Sequence, residues 1–444
     1  MPRLFGTDGV RGRAGSYPLD AETVRRLGAA LVRALPRVDG ARVLVGRDTR
    51  ESGEWLEREL AHGAGSEGAT VASAGVISTP AVAFLTRTHA YAAGVVISAS
   101  HNPFEDNGIK VFSGAGEKFT EQLELEVERA VADRSWQVPG GPAKPVDTVD
   151  LAEPYLAHVR SVARRPESFR GWTIAVDCAN GATSGLAPRL FHQLGMAIEL
   201  IGAEPNGRNI NLDCGSTHPE RLAALVRQGR ARLGVAFDGD GDRAIFVDRN
   251  GRIVDGDAVM LMCATELKHS GRLRGNAVVA TVMSNLGLEL GLKALGLDLI
   301  RCPVGDKYVM EELIARHLSL GGEQSGHIIF SDHLFTGDGL ITAMHVLETM
   351  ASAEKELSEL AGALVVYPQV LLNVRVREKV ALNQVPAVAD AIARVESRLA
   401  HQGRLLVRYS GTEPLLRIML EGSDEREIRC WAEEIATEVR QHLG

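Results

Sequence analysis

The chain has 444 residues, enough for about three domains at roughly 150 residues each. Hydrophobic residues make up 45% and charged ones 24%, which excludes wholesale disorder. With 49 Lys and Arg against 57 Asp and Glu the net charge is −8, which argues against a general nucleic-acid binder, and no run approaches the ~18 consecutive apolar residues of a membrane span. The first segment of note, Phe5-Gly-Thr-Asp-Gly-Val-Arg-Gly12, puts a lone Arg11 in a Gly-rich loop, and Met1 to Asp8 carry no apolar signal-peptide core.

Short apolar runs then alternate with helical stretches. Strands are predicted at 42–46, 93–98, 172–177, 232–238 and 277–282, and helices at 21–35, 121–132, 219–230, 257–269 and 307–318. Apolar strands crossed over by helices belong to mostly parallel sheets covered on both faces. The Pro/Gly-rich segment Val138 to Pro145 precedes a domain boundary near residue 150, and Leu364 to Pro368 precedes a small α+β tail. A further boundary falls near residue 253, where Asn250-Gly251 could also simply close a hairpin. The expected domains are therefore 1–150, 151–252, 253–366 and 367–444. Five scattered cysteines without a Cys-x-x-Cys pair argue against a disulfide framework or a cysteine zinc site and fit a reducing cytoplasm.

Three loops at strand ends carry chemistry. Asp238-Gly-Asp-Gly-Asp-Arg243 offers three carboxylates at alternate positions, and the glycines permit the tight path that lets them converge on one hard cation. An EF-hand requires Gly and Glu at its sixth and twelfth positions, where this chain has Arg243 and Arg249. All-oxygen ligation from few residues suits Mg²⁺. Ser98-Ala-Ser-His-Asn-Pro103 puts Ser100 at a strand end beside His101 and Asn102; taken alone it could be an ordinary turn. Asn107-Gly108 is expected to be the turn that sends Ile109 to Phe112 back alongside, bringing Lys110 near the serine, where a lysine can steady an anion or move a proton. Arg408-Tyr-Ser-Gly-Thr-Glu-Pro414 offers hydroxyls and N–H groups to a phosphate, with Arg408 and Arg417 on the two flanking strands. Gly322-Glu-Gln-Ser-Gly-His327 supplies Glu323 and Ser325, whose chemistry suits sugar hydroxyls.

In this order and over the whole length, these segments resemble the α-D-phosphohexomutase superfamily. The resemblance implies three similar α/β mixed-sheet domains plus a smaller C-terminal α+β domain around a central cleft. It implies a phosphoserine at Ser100, with Ser100, Asp238, Asp240 and Asp242 holding Mg²⁺. Glu323, Ser325, His327 and Arg243 match sugar and phosphate contacts, and Arg408, Ser410, Gly411, Thr412 and Arg417 match a phosphate clamp. His101 and Arg243 would stabilise the phosphoryl group in transit; Lys110, or else His327 or Arg11, would be the general acid/base. The details around Ile97 to Asn102, Phe237 to Arg243 and Gly322 to His327, with Gln324 in place, imply interconversion of glucosamine 6-phosphate and glucosamine 1-phosphate, feeding UDP-N-acetylglucosamine synthesis. A glucosamine or glucose 1,6-bisphosphate would serve as intermediate or activator. The same reaction on mannose or glucose phosphates is the alternative. Partners are then small sugar phosphates, with neither nucleic acid nor membrane, and homodimers occur among such enzymes. Lys307 stands where this branch is expected to carry Arg, and Lys lacks the bidentate fork.

Overall fold

The computed structural model describes residues 3–6, 8–35, 40–139, 146–400, 402–410 and 413–444. They fall into two compact units: one built from residues 1–283 and 296–363, the other from 284–295 and 364–444. Among the described residues no helix is long and apolar enough to cross a membrane, and all five cysteines are free thiols.

The first unit carries three sheets. The first contains β1 (Val10–Arg13), β2 (Arg42–Arg47), β3 (Thr70–Val76), β4 (Ala93–Ile97), β5 (Asp106–Ser113) and β6 (Asp147–Thr148), in the order β1-β5-β4-β2-β3-β6. Strands β4, β2, β3 and β6 run parallel, whereas β5 pairs antiparallel with both β4 and β1. The second sheet contains β7 (Thr173–Asp177), β8 (Ala197–Ile201), β9 (Leu233–Phe237), β10 (Ala244–Asp248) and β11 (Ile253–Val254), in the order β11-β10-β9-β7-β8. The third contains β12 (Ala277–Thr281), β13 (Asp298–Cys302), β14 (Leu320–Gly322) and β15 (Ile328–Phe330), in the order β13-β12-β14-β15. In each, a parallel core ends in an antiparallel edge that returns from a chemistry-bearing loop: β4 to β5, β9 to β10 and β14 to β15. The sheets are thus mixed. Asn250-Gly251 closes the β10–β11 hairpin, with Gly251 at φ +79°.

The core strands are apolar but for Thr281 because both faces are covered: β4, β9 and β12 are buried at every residue. An apolar cluster around the first sheet joins Val43, Val45, Val95 and Ile97 to Leu27, Leu31, Leu56 and Leu60 of the helices Ala21–Ala34 and Gly53–Ser66. Those two helices meet backbone to backbone. A Cβ on Gly63 would lie 1.8 Å from the Arg25 carbonyl oxygen, and one on Gly28 2.1 Å from that of Leu60. Neither oxygen can move without breaking its helix. Gly63→Ala is therefore expected to destabilise the protein by about 3 kcal/mol, read as a lower urea midpoint with unchanged slope; an unchanged midpoint would show that the helices separate freely.

The second unit packs the strands β16 (Gln369–Arg375), β17 (Gly403–Tyr409) and β18 (Leu415–Gly422), in the order β16-β18-β17, against the helices Pro386–Leu399 and Glu425–His442. All its pairings are antiparallel. The helix Leu286–Ala294, although it follows β12 in the chain, belongs to this unit, where Asn285 Nδ2 donates to the Tyr367 carbonyl at 2.9 Å.

Candidate active site

Strand β4 ends at Ile97 and delivers Ser100 with φ +52°, a left-handed backbone that costs a non-glycine residue about 1–2 kcal/mol. Its N–H donates to Ser98 Oγ at 2.9 Å, and its own Oγ donates to Asp238 Oδ2 at 2.5 Å. Asp238 begins the loop that follows β9, so two strand ends from two sheets bring the serine and the acidic loop together. The expected turn at Asn107-Gly108 is corrected by the structure. Residues 98–105 make the reversal, and Asn107-Gly108 lies inside β5, paired with Gly12 and Arg11 of β1. Gly108 is needed for close approach, since a Cβ there would sit 2.4 Å from the Ser98 carbonyl oxygen. The return of Ile109 to Phe112 beside β4 is as expected, with Lys110 opposite Val96.

Asp238, Asp240 and Asp242 are buried, and one carboxylate oxygen from each lies within 4.8 Å of the others. Asp240 rests on the N-terminus of the helix Thr79–Thr88, where Thr79 Oγ1 donates to its Oδ2 at 2.5 Å and the Thr79 N–H to its carbonyl at 2.9 Å. Lys110 Nζ lies 2.8 Å from Asp240 Oδ2, 3.2 Å from Asp242 Oδ2 and 3.0 Å from Asp8 Oδ2. Burial disfavours the charged form of this lysine, but the three carboxylates outweigh it and hold its pKa well above the ordinary value. Burial likewise pushes Asp240 up, and Lys110 more than reverses it. Asp238, which Lys110 does not reach, is driven well above the usual carboxylate range by burial and by Asp242 and Asp240. Asp240 Oδ1 and Asp242 Oδ1 are buried with no hydrogen-bond donor. Converging, orphaned carboxylate oxygens fit a hard divalent cation.

In front of this cluster is a cavity of about 630 Å³. Of the residues singled out in the sequence, Arg11, His101, Asp242, Arg243, Glu323 and His327 line it. Ser100, Lys110, Asp238 and Asp240 lie buried behind that lining. The backbones of Arg243 and His327 pair across the metal and Gly322–His327 loops, and the Ala244 N–H donates to the Gly326 carbonyl at 3.1 Å. His327 is buried; burial lowers its pKa, but Asp242 and Asp306 lift it to about 9, so it is charged at neutral pH. His101 moves the other way, to about 4, through burial and the nearby Arg243 and Arg11, and is neutral. Glu323 Oε1 accepts from the Gly305 N–H at 3.2 Å, and Ser325 is exposed, outside the cavity lining. Gln324 is no part of that lining either: its Nε2 donates to Asp255 Oδ2 at 3.0 Å, at the cap of the helix Gly256–His269. Lys307 Nζ donates to Glu124 Oε2 at 3.1 Å, a contact that a single point charge satisfies.

Sequence reasoning missed a chain of partly buried ion pairs in the cavity wall, where Asp8, Arg11 and Asp306 are part of the lining. Asp8 takes Lys110, Lys118 and Arg11; Lys118 also pairs with Asp306, whose Oδ2 lies 3.3 Å from His327 Nε2. Asp8 stands inside a quoted motif without a role, and Lys118 and Asp306 carry no local signal at all. In the second unit Arg408 and Arg417 are register partners on β17 and β18, and Arg417 Nε is buried without an acceptor. Arg417 reaches Ser410 Oγ at 3.5 Å, and Lys379 Nζ donates to the Ser410 carbonyl at 2.6 Å. Gly411 and Thr412 lie outside the described residues.

Models of the phosphoglucomutase/phosphomannomutase family match the chain from end to end: α/β/α domain I over 2–137, domain II over 153–251, domain III over 255–367 and the C-terminal domain over 371–438. The chain belongs to this family. Phosphoglucosamine mutase of Solibacter usitatus (strain Ellin6076) is 49% identical over 444 residues, covering 99% of both chains. Among solved structures, a phosphoglucomutase/phosphomannomutase family protein from Burkholderia thailandensis superposes with a TM-score of 0.81 at 24% identity, covering 99% of this chain and 97% of that one. N-acetylphosphoglucosamine mutase of Aspergillus fumigatus, solved in complex with GlcNAc-6P and magnesium, gives 0.68 at 17%, covering 99% and 95%. The last two share the fold: three similar α/β domains and a smaller C-terminal one.

Proposed function

We propose that this protein interconverts glucosamine 6-phosphate and glucosamine 1-phosphate through a phosphoserine at Ser100 and a glucosamine 1,6-bisphosphate intermediate. The observation that carries the reading is the contact of Ser100 Oγ with Asp238 inside a buried aspartate cluster that backs a polar cavity where Arg11, Arg243 and His327 stand among carboxylates. Four domains, 1–150, 151–252, 253–366 and 367–444, go with it; one sheet in each supports the division, with Ile253–Val254 pairing back to the second.

In this reading Asp238, Asp240 and Asp242, with Ser100, would hold Mg²⁺, which when bound would draw charge from the phosphoryl oxygens. Ser100 gives its phosphoryl group to the free hydroxyl of the sugar phosphate, and the bisphosphate turns over before returning its other phosphate to Ser100. The residues of the chain do little covalent work; they position groups and balance charge. Arg243, Arg11 and charged His327 supply positive charge at the cavity, and neutral His101 can only offer a hydrogen bond. Lys110 stays protonated between three carboxylates and is read as the acid that protonates the departing serine oxygen; a cation on Asp240 and Asp242 would offset the charges that hold its proton. Glu323 binds sugar hydroxyls, with Ser325 beside it in sequence, and Arg408, Ser410, Gly411, Thr412 and Arg417 form a phosphate clamp. The glucosamine substrate rests on the 49% identical relative.

Turnover of the purified protein on the 6-phosphates of glucosamine, mannose and glucose tests the substrate. The glucosamine compound is expected to give the highest kcat/KM; a clear preference for mannose 6-phosphate would overturn the assignment.

A further inference from the structure

Ser100 is held by its backbone from two directions, by residues that line no part of the cavity. Its carbonyl oxygen accepts from Arg50 Nη2 at 3.1 Å and from Asn211 Nδ2 at 2.9 Å. The Asn102 carbonyl, two residues on, accepts from the same pair at 2.6 and 3.1 Å. Four hydrogen bonds from two side chains thus span the Ser100–Asn102 segment. Arg50 follows the end of β2 in the first sheet and Asn211 comes from a loop of the second, where its N–H donates to the Ala179 carbonyl at 2.9 Å. The Arg50 guanidinium is buried at 1% exposure and neutralised by Asp48, which also accepts from the Arg50 N–H at 2.9 Å. The metal loop closes on the same node: a Cβ on Gly239 would lie 2.5 Å from the Ser100 carbonyl oxygen and 2.9 Å from Asn211 Nδ2.

We infer that Arg50 and Asn211 are positioning residues that clamp the Ser100 and Asn102 carbonyls and so fix the line along which Ser100 Oγ gives and takes phosphate. The inference rests on Ser100 being the phosphorylated residue. A serine with φ +52° relaxes toward ordinary backbone angles unless its peptide is held, and each relaxation swings Oγ away from Asp238. A phosphoryl carrier must regain one geometry twice in every cycle, once loaded and once empty, so a rigid backbone matters more here than for a serine that only binds. Neither side chain lines the cavity, so both would act through Ser100.

Asn211→Gly removes the amide while accepting the φ of +59° found there, and Arg50→Lys keeps the charge opposite Asp48 but loses the fork whose Nη1 pairs with Asp48 while Nη2 donates to both carbonyls. The full-length variants are compared with the parent in kcat, KM for glucosamine 6-phosphate, Tm and the ³¹P resonance of the phosphoserine. Asn211→Gly is expected to lower kcat by about 10- to 100-fold with KM within about twofold, and to broaden or shift the resonance. Arg50→Lys should do the same wherever it folds, and Asn211→Gly decides if it does not. Parental kcat and an unmoved resonance, with only Tm lowered, would overturn the inference. Absence of phosphate on Ser100 in the intact mass of the parent protein would overturn the phosphoserine reading beneath it, a separate failure.

Discussion

Ser100→Ala should reduce isomerisation by about 10⁴-fold or more while leaving the protein folded. The substitution removes one oxygen, and that oxygen is the only hydroxyl in hydrogen-bond contact with Asp238 among the described residues. Nothing else beside the aspartates replaces it as an acceptor of phosphate: Ser98 Oγ is occupied by the Ser100 N–H, and Thr79 Oγ1 donates to Asp240. Stability should change little, by about 1 kcal/mol, the order of one lost hydrogen bond, because Asp238 still accepts from the Arg243 N–H through its other oxygen. Intact-mass measurement should show phosphate on the parent protein and none on the variant, alongside a coupled assay for glucosamine 1-phosphate. A variant that keeps even a tenth of parental kcat would remove the serine from the reaction.

The parts of the site written locally can be read from the sequence, and the parts assembled across the fold cannot. Asp238, Asp240 and Asp242 sit at alternate positions after an apolar strand, so their convergence follows from spacing alone. Ser100 and Asp238 are 138 residues apart, and only the order of motifs along the whole chain links them. Lys118 and Asp306, 188 residues apart, belong to no motif, and their pairing appears only once β5 and the helix Asp306–Arg316 are folded together. Asn107-Gly108 misleads because the dipeptide has turn chemistry, whereas here glycine answers a steric need within a strand. The strands legible in the sequence are buried along both faces; β8 and β13, which are not, are sheet edges with mostly half-exposed or exposed residues and lack a clean apolar run. The mixed character of the sheets is hidden for a related reason: an antiparallel return strand such as β10 is as fully buried as the parallel β9 beside it, so composition cannot tell the two directions apart.

Lys110→Met separates the structural charge of this lysine from its chemical one. The ammonium is 2% exposed and pairs with Asp240, Asp242 and Asp8. Removing it leaves buried carboxylates without their principal cation, and breaking a buried pair in this way costs about 3–5 kcal/mol. The pKa shifts give the pH dependence. Asp240 and Asp8 are held below their ordinary values in the parent, in each case with Lys110 the largest effect opposing burial, so their contribution to stability is present above the unfolded carboxylate range and is lost as pH falls through the folded values. In Lys110→Met that acid-side contribution disappears, and the variant should be destabilised most at neutral pH and least at low pH. Added Mg²⁺ offers the aspartates another cation, so thermal unfolding of Lys110→Met should show a larger Mg²⁺-induced rise in Tm than the parent, with about 2.7 kcal/mol available at a hundredfold excess over Kd. Isomerisation should stay at least about 100-fold down even with Tm restored, because the divalent ion replaces the charge and not the proton. If Mg²⁺ restores activity together with Tm, the lysine is a counter-charge only; if Mg²⁺ moves neither, the aspartates are not a cation site.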